Sequence, residues 1–294
     1  MKNKLRGSLA LLLGTIIWGS AFVAQSVGMD HIGPFTFQAV RCFLAVLFLS
    51  LVIFLTGPKD FLNKWKNPKL WKAGIPCGVA LFAASGLQQV GLLYTDAGKA
   101  GFLTAMYIVL VPILGLILKK KPPKTILVSV ILAVIGLYLL SCVGVSSINF
   151  GDILLIACAL AFAIQITLID IFAQDLSGLE LNCVQCLVNT VLSTLVMFLF
   201  EQPKMDAILT SWLPLCYAGI LSLGVAYTLQ IVGQQHLEPS TASLIMSLES
   251  VFAVLTGWLI LHETLSAAET VGCLLMFAAV VLAQLPVGQK IRKA

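Results

Sequence analysis

The sequence predicts an all-α membrane protein of ten transmembrane helices, built as two inverted five-helix repeats. Three observations lead there. The 294 residues are 59% hydrophobic and 11% charged, with a mean hydropathy of +1.01; an ordinary soluble domain carries about a quarter charged residues. Apolar runs of about 20 residues, the length of helix that crosses hydrocarbon, recur from end to end. Short polar and aromatic strings also return at a nearly constant distance along the chain.

Taken in order, the opening MKNKLR and the apolar SLALLLGTIIW have the charge pattern of a secretory signal. Cleavage needs small residues, and Phe22 and Val23 flank the one candidate, Ala24. The apolar run continues to Val27, so an uncleaved first span is expected near 8–28. Further spans are expected near 34–56, 73–94, 100–118, 125–145, 151–172, 181–200, 212–235, 240–261 and 268–287. The connections are short and leave no room for a soluble domain. Barrel strands alternate apolar and polar residues and are much shorter than these runs.

Basic residues orient the spans, because Lys and Arg collect on the cytoplasmic side. With the N-terminus inside, the inner segments 1–7, 57–72, 119–124, 173–180, 236–239 and 288–294 hold fifteen of the 18 Lys and Arg; the outer segments hold only Lys99 and Lys204, and Arg41 lies inside a span. Both termini are therefore expected in the cytoplasm, with the chain multi-pass in the cell (inner) membrane. The formal charge of +5 comes from these connections and implies no nucleic-acid partner. Nearly all eight cysteines lie within apolar runs and read as small packing residues. Cys183-Val-Gln-Cys186 has no second pair to complete a metal site.

The repeat is read from the rarer residues. Leu87-Gln88-Gln89-Val90-Gly91 returns as Leu229-Gln230-Ile231-Val232-Gly233, and Val40-Arg41-Cys42 as Val184-Gln185-Cys186. The halves are 1–145 and 150–290, five spans each. An odd number of spans makes the second half enter the membrane from the opposite side, an architecture through which secondary transporters alternate access around a central site.

The candidate site residues are the polar and aromatic ones within spans. Glu249 lies mid-span, where a carboxylate costs about 2.5–3.5 kcal/mol on insertion scales and faces protein or a cavity; it reads as a coupling group or as a structural, hydrogen-bonded acid. The repeat sets Tyr107 opposite it. Arg41 could attract an anion, pair with Glu249, or snorkel to the interface. Tyr227, Gln230 and Gln234 share a helical face, and Gln88 matches Gln230; amides there line a cavity or join helices. Inversion sets Gln88 towards the outside and Gln230 towards the cytoplasm, where gates are expected. Trp18 and its mate Phe162 suit an aromatic wall, with Gln165 at the position matching Ala21. Asp170 and Asp175, near a span end, read as solvated. Gly74 and Gly78 read as helix-packing residues.

A series of short motifs runs through the chain: Trp18-Gly19-Ser20-Ala21-Phe22-Val23, then Pro34 and Arg41, then Ala100-Gly101-Phe102-Leu103-Thr104 with Pro112. It continues through Gly151-Asp152, Ser240-Thr241-Ala242-Ser243-Leu244, Ser247-Leu248-Glu249 and His262-Glu263. In these motifs and their order the chain resembles the EamA family of the drug/metabolite transporter superfamily. The resemblance implies ten helices and gradient-driven movement of small metabolites. The family often has Pro directly after the Glu of the ninth span; Ser250 stands there, so a less kinked helix is expected.

The leading functional reading is a secondary transporter, with export as the expected direction, of small metabolites such as amino acids or related amphipathic compounds. Proton coupling at Glu249 is one form of it. A channel or facilitator for small solutes is the alternative. An intramembrane enzyme finds no support in H-E-x-x-H, G-x-S-G or P-loop patterns, and His31, His236 and His262 lie at or beyond span ends. No cofactor or metal is expected. The partners are a small-molecule substrate and the lipid bilayer, with monomer and homodimer both open.

Overall fold

The computed structural model describes residues 2–95, 97–120, 122–141, 148–261 and 266–285. His262, Glu263, Lys121 and the basic segment 288–294, which entered the sequence reading, lie outside them. The described chain is helical and contains no strand. In order come α1 (Lys2–Gly28), α2 (Pro34–Thr56), α3 (Pro68–Gly91) and α4 in two pieces (Ala97–Ala105 and Tyr107–Ile117). Then follow α5 (Lys124–Ser141), α6 (Phe150–Phe172), α7 (Gly178–Phe200) and α8 (Trp212–Gln234). Last are α9 in two pieces (Pro239–Met246 and Glu249–Leu261) and α10 (Ala267–Gln284). Among the described residues nine helical stretches are long and apolar enough to cross a bilayer, and Lys124–Leu140 is a shorter apolar helix.

The helix starts follow from local chemistry. Pro34 and Pro239 open α2 and α9, where a missing N–H forfeits no helical bond. A reciprocal box caps α6: Asp152 N donates to Asn149 Oδ1 at 3.0 Å, and Asn149 N donates to Asp152 Oδ2 at 2.9 Å. The same box recurs at α10 with Ser266 and Glu269. The start of α2 is capped from a distance. Phe35 N and Thr36 N donate to the carboxylate of Glu201, just after α7, at 2.8 and 2.7 Å. Gly33 leaves room for it, since a Cβ there would lie 2.4 Å from the Glu201 carboxyl carbon.

The interior mixes apolar core with buried polar side chains, and the outside is apolar. On α2 the stripe Phe43, Leu47, Leu51 and Phe54 is exposed at 48–55%, while Gln38, Arg41 and Cys42 are buried. Gln89, Gln165, Asn182, Gln185 and Asn189 are likewise fully buried. Apolar residues facing outward around buried polar side chains suit hydrocarbon and not water.

Helices associate across the two halves of the chain. α2 packs on α7 and α5 on α10; α3 lies against α6 and α7, and α1 against α8 and α9. Gly74 and Gly78 permit the α3–α7 approach, because added Cβ atoms would come within 2.4 Å of Val184 and 2.7 Å of Val188. Gly136 and Gly272 do the same for α5 and α10: each added Cβ would fall within 3.0 Å of the other glycine's carbonyl oxygen. Ion pairs lie near helix ends: Lys64–Glu180 (3.5 Å), Lys99–Asp152 (2.6 Å) and Lys120–Asp170 (2.5 Å). Asp170, expected to be solvated, is 11% exposed and pairs with Lys120. The seven described cysteines are free; Cys216 is half-buried and the other six are buried.

Three helices depart from regular geometry. α4 breaks at Met106, where Met106 N bonds Leu103 O and Val109 N bonds Met106 O, both one residue short of the helical register. α9 was expected to run unbroken; it breaks at Ser247–Leu248 without a proline. Leu248 N bonds Ile245 O, Ser250 N bonds Ser247 O, and the Ser247 hydroxyl occupies Leu244 O at 2.8 Å. A serine returning to its own backbone competes with the helical ladder. In α8, Tyr217–Ala226 is π-helical. Asn182 of α7 braces it, donating to Leu223 O (2.8 Å), Gly224 O (3.1 Å) and Thr228 Oγ1 (3.0 Å).

Candidate functional site

The breaks in α4 and α9 each lie directly before a cavity residue. Tyr107 begins the second piece of α4 and Glu249 the second piece of α9. The Tyr107 hydroxyl donates to Glu249 Oε1 at 3.3 Å. Both residues line a cavity to which α1, α2, α3, α4, α6, α8 and α9 all contribute.

Aromatic side chains form much of its wall. Trp18 meets Tyr227 edge-on, with ring centroids 4.9 Å apart. Phe162, matched to Trp18 by the repeat, packs against Tyr107 at 6.4 Å. Trp18 Nε1 and Gln230 Oε1 are buried without a hydrogen-bond partner, which leaves a donor and an acceptor on cavity residues unused.

The amides form two groups. Gln230 Nε2 donates to Gln165 Oε1 and Gln234 Oε1, both at 3.0 Å, and Gln165 Nε2 donates to Gln185 Oε1 at 3.1 Å. On the other side Gln88 Nε2 donates to Thr104 Oγ1 at 3.3 Å. Gln88 and Gln230 thus face one cavity, where the sequence had suggested opposite ends of a path. Gln165 is fully buried and does not line the cavity; it stands behind Gln230 and holds it.

Arg41 lines the cavity and is 3% exposed, so its guanidinium does not snorkel. Nor does it pair with Glu249: among the described residues no ion pair includes Arg41. Its Nε donates to Gln38 Oε1 at 2.9 Å, one terminal nitrogen donates to Gln25 Oε1 at 2.7 Å, and the other bonds Gln38. The Phe37 ring lies 5.4 Å below it. Gln38 is fixed in turn by Ser85 of α3 and Asn189 of α7.

Sequence reasoning missed Gln25, Thr104, Ser222 and Met246 in the wall. Gln25 was open to detection, since it lies seven residues after Trp18 and shares its helical face. Thr104 and Met246 are related by the same offset as Tyr107 and Glu249. Ser222 owes its place to the π-helical turn, which carries no comparable signature.

A bundle of apolar-faced helices around a cavity with polar and aromatic walls defines a multi-pass membrane protein. The EamA-like transporter family model matches the chain twice, over residues 5–142 and 149–285. The chain belongs to that family. An uncharacterized transporter of Archaeoglobus fulgidus is 35% identical, over 97% of this chain and 88% of its own length. The uncharacterized transporter YoaV of Bacillus subtilis is 24% identical, over 91% of this chain and 93% of its own. One solved crystal structure, 18% identical, shares the fold with a TM-score of 0.78, covering 95% of this chain and 96% of that one. The family and these relatives are transporters and not enzymes.

Proposed function

We propose that this chain is a secondary transporter, working as an exporter, of small metabolites such as amino acids or related amphipathic compounds. It would operate by alternating access between two inverted halves, 1–145 and 150–290, in the cell (inner) membrane with both termini in the cytoplasm. The observation that carries the reading is the meeting of Tyr107 and Glu249, at matching positions of the two halves, where two helices break around one cavity. Packing supports it: exchanging each helix for its mate five further on turns the α1–α8 and α1–α9 contacts into α6–α3 and α6–α4, which also occur. Broken helices at a shared midplane site are the usual construction of carriers with inverted repeats.

Glu249 is the coupling group in this scheme. A proton or a substrate ammonium occupies its carboxylate, and only the neutralised site changes access. Trp18, Tyr227, Gln88 and Gln230 contact the solute, Arg41 supplies positive charge, and Gln165 positions Gln230. The test is gradient-driven flux of candidate metabolites in proteoliposomes, comparing the unaltered chain with Glu249→Gln. Equal flux and equal pH dependence in the two would remove Glu249 from the mechanism. Termini labelled from opposite sides of the membrane would end the inverted-repeat scheme.

A further inference from the structure

We infer that Arg41 is the anchor for a substrate carboxylate, so that the solute of this cavity is a zwitterion held between Arg41 and the Tyr107–Glu249 pair. The inference deepens the transporter reading and rests on it for the identity of the cavity.

The argument begins with an uncompensated charge. A guanidinium carries five N–H donors and stays ionised. Arg41 is buried, and all three of its side-chain hydrogen bonds go to neutral amide oxygens of Gln25 and Gln38. No described carboxylate pairs with it. Burying a cation without a countercharge is costly, and proteins rarely retain one that nothing neutralises. Gln25 and Gln38 cannot remove the charge, but they do fix the plane of the guanidinium. Three bonds leave two N–H groups, one on each terminal nitrogen. Both are open to a carboxylate, whose bonds to a guanidinium are charge-assisted.

A carboxyl group, able to take the opposite charge, is also in the cavity wall at Glu249, and the two do not meet. Separate positive and negative groups on one wall match a solute that carries both signs. Glu249 is bonded by Tyr107, whose ring meets Phe162, and Trp18 and Tyr227 line the same cavity; aromatic rings beside a carboxylate favour an ammonium group. Arg41 is bonded by amides, with the Phe37 ring beneath it and Tyr227, Cys42 and Cys186 nearby. The carboxylate therefore goes to α2 and the ammonium to the α4–α9 breaks.

The test uses the full chain purified in detergent and reconstituted in liposomes. The probes are leucine, methionine and phenylalanine, each with its carboxamide and its decarboxylated amine. Binding is read by thermal shift and transport by counterflow, in the unaltered chain, Arg41→Lys and Arg41→Gln. At least one amino acid should bind about tenfold or more tighter than its amide and amine, the range of a charge-assisted bond. Arg41→Gln should abolish that preference by weakening the acid alone. Arg41→Lys, which keeps the charge without the fork, should retain part of it, and decides the matter if the Gln variant does not fold. An amide that binds as well as its acid, a preference unchanged in both variants, or no binding by any of the three amino acids overturns the inference. Saturable counterflow of amines alone would sink the anchor and leave the transporter standing. Arg41-dependent binding without counterflow of any bound solute would do the reverse.

Discussion

Tyr107 and Glu249 meet through a hydrogen bond of 3.3 Å, and each is the first residue after an interruption in its helix. An interruption frees backbone groups that must find other partners, so two of them side by side mark a place where the interior is built for something other than packing. The bond is the one direct polar link from α4 to α9 among the described residues, and changing either end separates holding the acid from using it.

Glu249→Gln should fold, because the amide can still accept from Tyr107, yet it should lose most gradient-driven flux in proteoliposomes. Tyr107→Phe keeps the acid but removes its donor. A lost hydrogen bond costs about 0.5–1.5 kcal/mol, and the variant should show both lower thermal stability and slower flux. Wild-type flux in both variants would separate this pair from transport.

Glu201→Ala should destabilise the protein without touching the cavity. Its carboxylate accepts from two otherwise orphaned amides at the start of α2 and from the Thr36 hydroxyl at 2.5 Å. Loss of a helix cap costs about 0.5–2 kcal/mol, read as a lower melting temperature in detergent. Gly33→Ala should act on the same contact by displacing the carboxylate. Ligand affinity is expected to be unchanged in the Glu201 variant.

Asn182→Leu removes the side chain that braces the π-helical turn of α8. Interhelical hydrogen bonds in membranes average about 0.6 kcal/mol each, so a loss of about 1–2 kcal/mol is expected. Hydrogen exchange should rise at residues 222–228 and not across the bundle as a whole. Uniform exchange would show that Asn182 braces nothing in particular.

Lys120→Gln breaks a pair whose basic member is 57% exposed. Exposed pairs contribute about 0–1 kcal/mol, so stability should hardly change. The pair joins the end of α4 to the end of α6, and its removal should make Asp170 more reactive towards a water-soluble carbodiimide.

Much of this arrangement could be read from the residues alone, and the reasons differ from place to place. Spans followed from length and hydropathy, because hydrocarbon leaves a chain few ways to satisfy its backbone. Tyr107 was matched to Glu249 by counting, and the two touch. The break in α9 was hidden because its cause is a serine bonding to its own backbone, where a proline was the expected signal. Gln165 was misplaced by one layer: periodicity gives a helix face, but not whether the face meets a cavity or another amide. The neutral company of Arg41 depends on Gln25, Gln38, Ser85 and Asn189 from four helices, which no local pattern assembles.

The cysteines have a practical consequence. With six of the seven described thiols shut inside the bundle, aqueous maleimides should react, among the described cysteines, mainly at Cys216. Replacing Cys216 and Cys142 by serine would give a quiet background in which single reporter cysteines, set along α4 and α9, could be followed through the transport cycle without rebuilding the rest of the chain.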